Sequence, residues 1–243
     1  HEVASDGYLI AKHEVTFAEW IEYLKALPPA ERKERLPRAG SGLLTGGLEL
    51  SEPLGGRWRL FLQPKDKRFS VLEGEPLQIP SRDRRVSQDW GRLPVGGISC
   101  EDAMAYARWL AATGRLAGAR LCSELEWERA ARGADGRTFP HAERLQPDDA
   151  NYDETYARQA ESFGPDEVGA HPKSRSPFGI DDIVGNHFEW TQASLSSDPC
   201  VLRGGSYLQE VITNYTVNRN QVDPEHRVVD AGVRICASLA APR

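Results

Sequence analysis

Glu189 stands between two aromatics, Phe188 and Trp190, inside the run SPFGIDDIVGNHFEWTQASLSSDPCVLRGGS, residues 176–206. A carboxylate in such company has to find a cation, a metal or backbone N–H groups, because an unpaired buried charge is costly. Nothing beside it supplies a second acid or a nucleophile, so a structural role weighs against a catalytic one. The Pro-Phe-Gly turn, the Gly-Asn bend and the Gly-Gly turn are too many special backbone positions for one helix or strand. The run therefore reads as a folded loop with a rigid interior. Two other sets of residues could do chemistry. The four cysteines, Cys100, Cys122, Cys200 and Cys236, include no C-x-x-C pair, which argues against structural zinc. They are too few and scattered for a disulfide framework and read as reduced, buried thiols of a cytoplasmic protein. A disulfide between Cys100, Cys122 or Cys236 and a partner stays open. The six histidines (His1, His13, His141, His171, His187, His226) form no H-x-x-x-H or H-x-x-x-E pair, so an iron cluster is not indicated.

The elements that must hold these residues follow from the rest of the chain. At 243 residues it suits one domain, 1–243, with or without an insertion. Thirty basic against 36 acidic residues give a net charge of −6, which offers nothing to nucleic acid or an anionic membrane. There is no 18-residue apolar run and no signal pattern. Because the first residue is His1, the chain is expected to be part of something longer. Residues 7–16 read as a strand running into a helix that Thr16 and Glu19 open as a capping box. Phe17, Trp20, Ile21 and Leu24 form its apolar stripe, and Pro28 and Pro29 stop it. Residues 30–93 read as a charged, solvated face or loop followed by glycine-punctuated, alternating runs. They suggest an inserted β-hairpin or small sheet, either carrying partner specificity or standing as an exposed decoration. Further capping boxes at Ser99/Asp102 and Ser123/Glu126 open two more helices. The first places Met104, Ala107, Leu110 and Ala111 on one face, and the second turns Trp127, Ala130 and Ala131 inward. The sum is an α+β chain.

Four ordered segments, VGGISCEDAMAYARWL (95–110), ARLCSELEWERAARG (119–133), PFGIDDIVGNHFEW (177–190) and LRGGSY (202–207), together with 8–24, resemble the formylglycine-generating enzyme / sulfatase-modifying factor family. The resemblance implies that family's irregular C-type-lectin-like fold, poor in regular structure. It also implies two calcium sites, which take hard oxygen donors. One maps to Asn151 and Tyr152, with Asp153, Glu154 and Asp166 as further donors nearby. The other maps to Val184, Gly185, His187 and Glu189. Either place is open to closure by an internal cation or hydrogen bonds. His13 and Glu14 fall in the family's Glu-Val-Thr element and read as structural.

The family's enzyme holds Cu(I) on two cysteines past the Gly-Gly-Ser turn. Gln209 and Asn214 stand at those places here, and soft Cu(I) wants thiolates, so no copper is expected. Ala107 and Ala131 replace two cysteines of the family's disulfides, leaving Cys236 without its family partner. What remains of the cleft is a rim of Tyr207, Gln209, Glu210, Asn214, Tyr215, Asn218, Arg219 and Asn220, whose rings, amides and guanidinium suit recognition. Arg203, Asn218, Arg219 and Arg234 match ordered polar positions and are read as braces for the loops. The expectation is a non-catalytic module binding a protein or small polar ligand, within a larger bacterial signalling protein such as a serine/threonine kinase or as a retroelement-diversified variable protein. The alternative is a formylglycine-generating oxidase or an iron-dependent sulfoxide-synthase relative.

Overall fold

The computed structural model describes residues 6–42, 46–52, 54–134, 136–194 and 198–239; His1 lies outside them. All three capping boxes form as their spacing dictates. Thr16 accepts from the Glu19 N–H and Glu19 from the Thr16 N–H at the start of α1 (Phe17–Ala26). Ser99 and Asp102 do the same for α3 (Cys100–Ala112), and Ser123 and Glu126 for α4 (Glu124–Arg132). The prolines end α1, but Pro29, at a first-turn position that needs no N–H, opens the short helix α2 (Pro29–Glu34), which buries none of its residues, so of the charged face or loop expected here the chain takes the face. On α3 the sealed positions are Ala103, Tyr106 and Ala107, while Met104 and Leu110 are only half-buried. The inward face is thus rotated from the expected stripe.

The 30–93 segment is more than a decoration. Strands β2 (Arg38–Gly42), β3 (Gly46–Ser51), β4 (Arg59–Gln63) and β5 (Phe69–Leu72) pair antiparallel in chain order. Their inward residues Leu48, Leu50, Leu60, Leu62 and Val71, with Trp58, join the main core around Trp20, Trp90 and Tyr106. Strands β6 (Pro76–Gln78) and β7 (Ser87–Asp89) form a second hairpin.

Two further sheets make the frame. Strand β1 (Tyr8–Ile10) and β8 (Ala119–Leu121) flank β12 (Ile235–Ser238), so the first and last described strands meet in one sheet. Strand β9 (Phe188–Gln192) pairs antiparallel with β10 (Cys200–Arg203) and parallel with β11 (Ala231–Gly232). The 176–206 run therefore contains a hairpin, not only a loop. That hairpin fixes Glu189 in the middle strand of a buried sheet. Glycines carry the close approaches beside it. At Gly185 (φ 77°) a Cβ would sit 2.3 Å from the Asn151 carbonyl oxygen, and at Gly205 (φ 77°) 2.2 Å from the Asn214 amide oxygen.

The cysteines depart from expectation. Cys122, just past β8, is bonded to Cys236 in β12, and Cys100, at the start of α3, to Cys200, at the start of β10. Spacing could not reveal these pairs, because their partners lie 100 and 114 residues apart and only the pairing of β8 with β12 and the packing of α3 near β10 bring them together.

Candidate functional site

Strand β9 delivers Glu189 to the inside, where Arg234 and Trp127 meet it. Arg234 Nη2 donates to Oε1 at 2.7 Å, its Nε reaches both carboxylate oxygens at 3.1 Å, and the Trp127 indole N–H donates to Oε2 at 2.6 Å. The same guanidinium donates to the carbonyls of Asp181 and Ala11. Two more buried carboxylates crowd this place, and neither has a cation of its own: both share the Arg234 charge that Glu189 takes most closely. Both oxygens of Glu14 lack a hydrogen-bond partner, as does Oδ1 of Asp182, while Asp182 Oδ2 accepts the Gly169 N–H. Burial, and then the Asp182 charge, push the Glu14 carboxyl well above its usual range; burial likewise raises Asp182. Three carboxylates thus face one guanidinium. The expectation that nothing near Glu189 supplies a second acid is overturned: the 182 turn folds Asp182 toward it, and Glu14 arrives from the distant N-terminal segment. Among the described residues no three His, Cys, Asp or Glu side chains converge as metal ligands, so a cation here would lean on backbone carbonyls as well. The orphaned oxygens of Glu14 and Asp182 suit such an ion, and Val184, Gly185 and His187 carry the main-chain oxygens of the turn between Asp182 and Glu189. The His187 ring is not a donor in this sense. Burial depresses its pKa to about 3, and its Nδ1 lies 3.3 Å from the Val95 carbonyl, so the neutral ring carries its proton there.

The other implied calcium place is closed. Asn151 spends its amide N–H groups on the Gly164 carbonyl at 3.0 Å and the Asn186 side-chain oxygen at 3.2 Å. Tyr152 is buried and its hydroxyl meets Glu154. Asp153 and Glu154 both pair with Arg158. Asp166 is saturated: Arg82 Nη1 and His171 Nε2 each lie 2.8 Å from it, and the Tyr156 hydroxyl bridges both its oxygens. Burial works to raise the Asp166 carboxyl, but the His171 hydrogen bond and the Arg82 charge hold it below the usual range. The residues present do not fit a metal here.

The cleft rim divides. Tyr207 is buried with its hydroxyl unpartnered, and burial drives its pKa far up. Asn214 is buried too, donating from Nδ2 to the carbonyls of Gln209 and Glu210 at 3.2 and 2.9 Å. These two are interior braces rather than rim. Arg219 pairs with Glu124, Asn220 exchanges backbone hydrogen bonds with Leu202, and Asn218 donates to the Thr213 carbonyl. Tyr215 packs edge-on against Phe139 at 5.4 Å. Gln209 is half-exposed and Glu210 exposed. Between them and Asn218 the loop also exposes Ile212 (62%) and Val217 (48%), apolar positions that carry no polar signal in the sequence. Amides at 209 and 214 cannot do the work of thiolates, and all four cysteines are cross-linked elsewhere, so the residues do not fit copper.

Comparison with known proteins agrees with this frame. Residues 1–239 match the sulfatase-modifying factor enzyme 1-like domain. The chain is 29% identical over 211 residues to a formylglycine-generating enzyme of Mycobacterium tuberculosis, covering 79% of this chain and 65% of that one. It is 32% identical over 199 residues to the serine/threonine-protein kinase Pkn1 of Chlamydia trachomatis, covering 82% of this chain and 25% of the kinase. It therefore spans less than two thirds of either relative. The solved structure of CarF superposes with a TM-score of 0.61 at 20% identity, covering 96% of this chain and 87% of that one. With its irregular α+β fold and a match over nearly its whole length, this chain belongs to the FGE-sulfatase family.

Proposed function

We propose that this domain is a non-catalytic recognition module of a larger bacterial signalling protein, binding a protein or a polar ligand through the loop that replaces the copper site. Asn214 carries the reading. Where the family's oxidase chemistry asks for a thiolate, a buried amide instead bonds two carbonyls of its own loop and converts a metal-binding turn into a rigid one. Above it, Gln209, Glu210, Ile212, Tyr215 and Val217 offer polar and apolar contact area together. The kinase relative, of which this chain matches a quarter, supports a fused signalling context. The two cross-links favour an oxidising compartment over the reducing cytoplasm expected from the sequence.

Calcium is proposed as a structural ion of the module, held by the orphaned oxygens of Glu14 and Asp182 with main-chain oxygens of Val184, Gly185 and His187, beside the Glu189 carboxylate that Arg234 and Trp127 already occupy. When bound it would supply the positive charge those carboxylates lack and hold the 182–189 turn beneath the recognition loop.

The test is anaerobic loading with Cu(I), desalting and elemental analysis, paired with oxygen consumption on a cysteine-containing peptide. No retained copper and no turnover are expected. Near-stoichiometric copper with turnover would establish the oxidase reading instead.

A further inference from the structure

The hairpin of β6 and β7 ends in a loop whose Arg82 is driven into the 154–168 segment. Its side chain is sealed from solvent. Nε donates to the Ser162 carbonyl, Nη1 to Asp166 Oδ1 and Nη2 to the Gly164 carbonyl, each at 2.8 Å. The Tyr156 ring covers the guanidinium face at 4.0 Å. Two carbonyls and a carboxylate converging on one buried positive centre are the donor set of a hard cation. Here a guanidinium fills it, with donors in a fixed fork that match such oxygens. The rest of the hairpin follows the same segment. Ser81 Oγ donates to the Glu161 carbonyl, Gln88 brackets Pro165 and Glu167 through its side-chain amide, and the Asp89 N–H donates to Glu167.

We infer that Arg82 takes the place of a divalent cation in the 151–168 oxygen cage, so that the 30–93 segment braces from within a loop that would otherwise need calcium. Three consequences follow. The native cage takes up no calcium. Removing the guanidinium leaves oxygens that do. The charge, rather than bulk, is what the cage requires.

Calcium stoichiometry and thermal unfolding, each in millimolar Ca²⁺, in Mg²⁺ and in chelator, test this on the full chain and on Arg82→Ala, Arg82→Lys and Arg82→Ala/Asp166→Asn. Any calcium at Glu14 and Asp182 is common to all four and cancels. Expected is one additional calcium per chain in Arg82→Ala relative to wild type, with a calcium-specific rise in its melting temperature. Neither should occur in Arg82→Lys or in the double variant. Should Arg82→Ala fail to fold in chelator, its recovery on refolding in Ca²⁺ but not Mg²⁺ is the same result. An Arg82→Ala chain that binds no more calcium than wild type, or stays unfolded in calcium, overturns the inference. So does a double variant that keeps the additional ion, since the ion would then not lie against Asp166.

Discussion

Oε2 of Glu14 stands 3.7 Å from Nη2 of Arg234, the nitrogen that Glu189 already takes at 2.7 Å. The nearer carboxylate wins the guanidinium, and Glu14 is left buried without a hydrogen bond. If calcium fills that deficit, the melting temperature rises with calcium in the wild type. At free ion about 100 times Kd the gain is about 2.7 kcal/mol, which is about 5–10 °C for a domain of this size. Glu14→Gln and Asp182→Asn should lose that rise and melt higher than wild type in chelator, because a neutral amide removes the unmatched charge. Identical wild-type melting in calcium and in chelator would dispose of this ion.

A different buried carboxyl sets a pH dependence. Burial raises the Asp230 carboxyl above its ordinary 3.8, against the opposing hydrogen bond from Ser206. The native state then holds the proton more tightly than the unfolded chain. The stability it contributes is complete below about pH 3.8 and is lost as pH rises through the raised value. Asp230→Asn keeps an acceptor for Ser206 and removes the titration. Its urea-unfolding stability should fall less than that of wild type as pH rises from about 4 to 7, leaving it the more stable of the two at the upper end. Parallel curves would count against Asp230 as the source.

The Cys122–Cys236 bond closes a long loop between β8 and β12. Replacing both residues by serine should cost about 2–4 kcal/mol in urea unfolding. Wild type in a strong reductant should move the same way, and an unchanged midpoint in both would show the bond does not form in solution.

Asn214 and its exposed neighbours Ile212 and Val217 should respond oppositely. Asn214→Ala removes two hydrogen bonds to the Gln209 and Glu210 carbonyls, which keep the Asp153 and Thr213 N–H groups, and should destabilise by about 1–3 kcal/mol. Ile212→Ser and Val217→Ser should each stay within about 0.5 kcal/mol of wild type. Calorimetry that ranks them the other way would mean the loop is held by its apolar tip.

The sequence by itself determined whatever depends on neighbours in the chain. Capping boxes act over three residues, so Thr16/Glu19, Ser99/Asp102 and Ser123/Glu126 were legible, and the ordered motifs of 95–207 carried the family and its α+β fold. Gln209 and Asn214 likewise showed without a structure that no thiol stands at the copper positions. Tertiary structure alone decided which polar groups meet. Glu14 comes from one end of the chain to meet Asp182 and Glu189, Arg82 crosses 84 positions to reach Asp166, and four apparently free cysteines pair across 100 and 114 residues. It also decided that Tyr207 and Asn214 lie inside and that Ile212 and Val217 face water. The reason is physical. Local hydrogen bonds are written in spacing, whereas the balance of buried charge is a sum over segments that only the folded chain brings together.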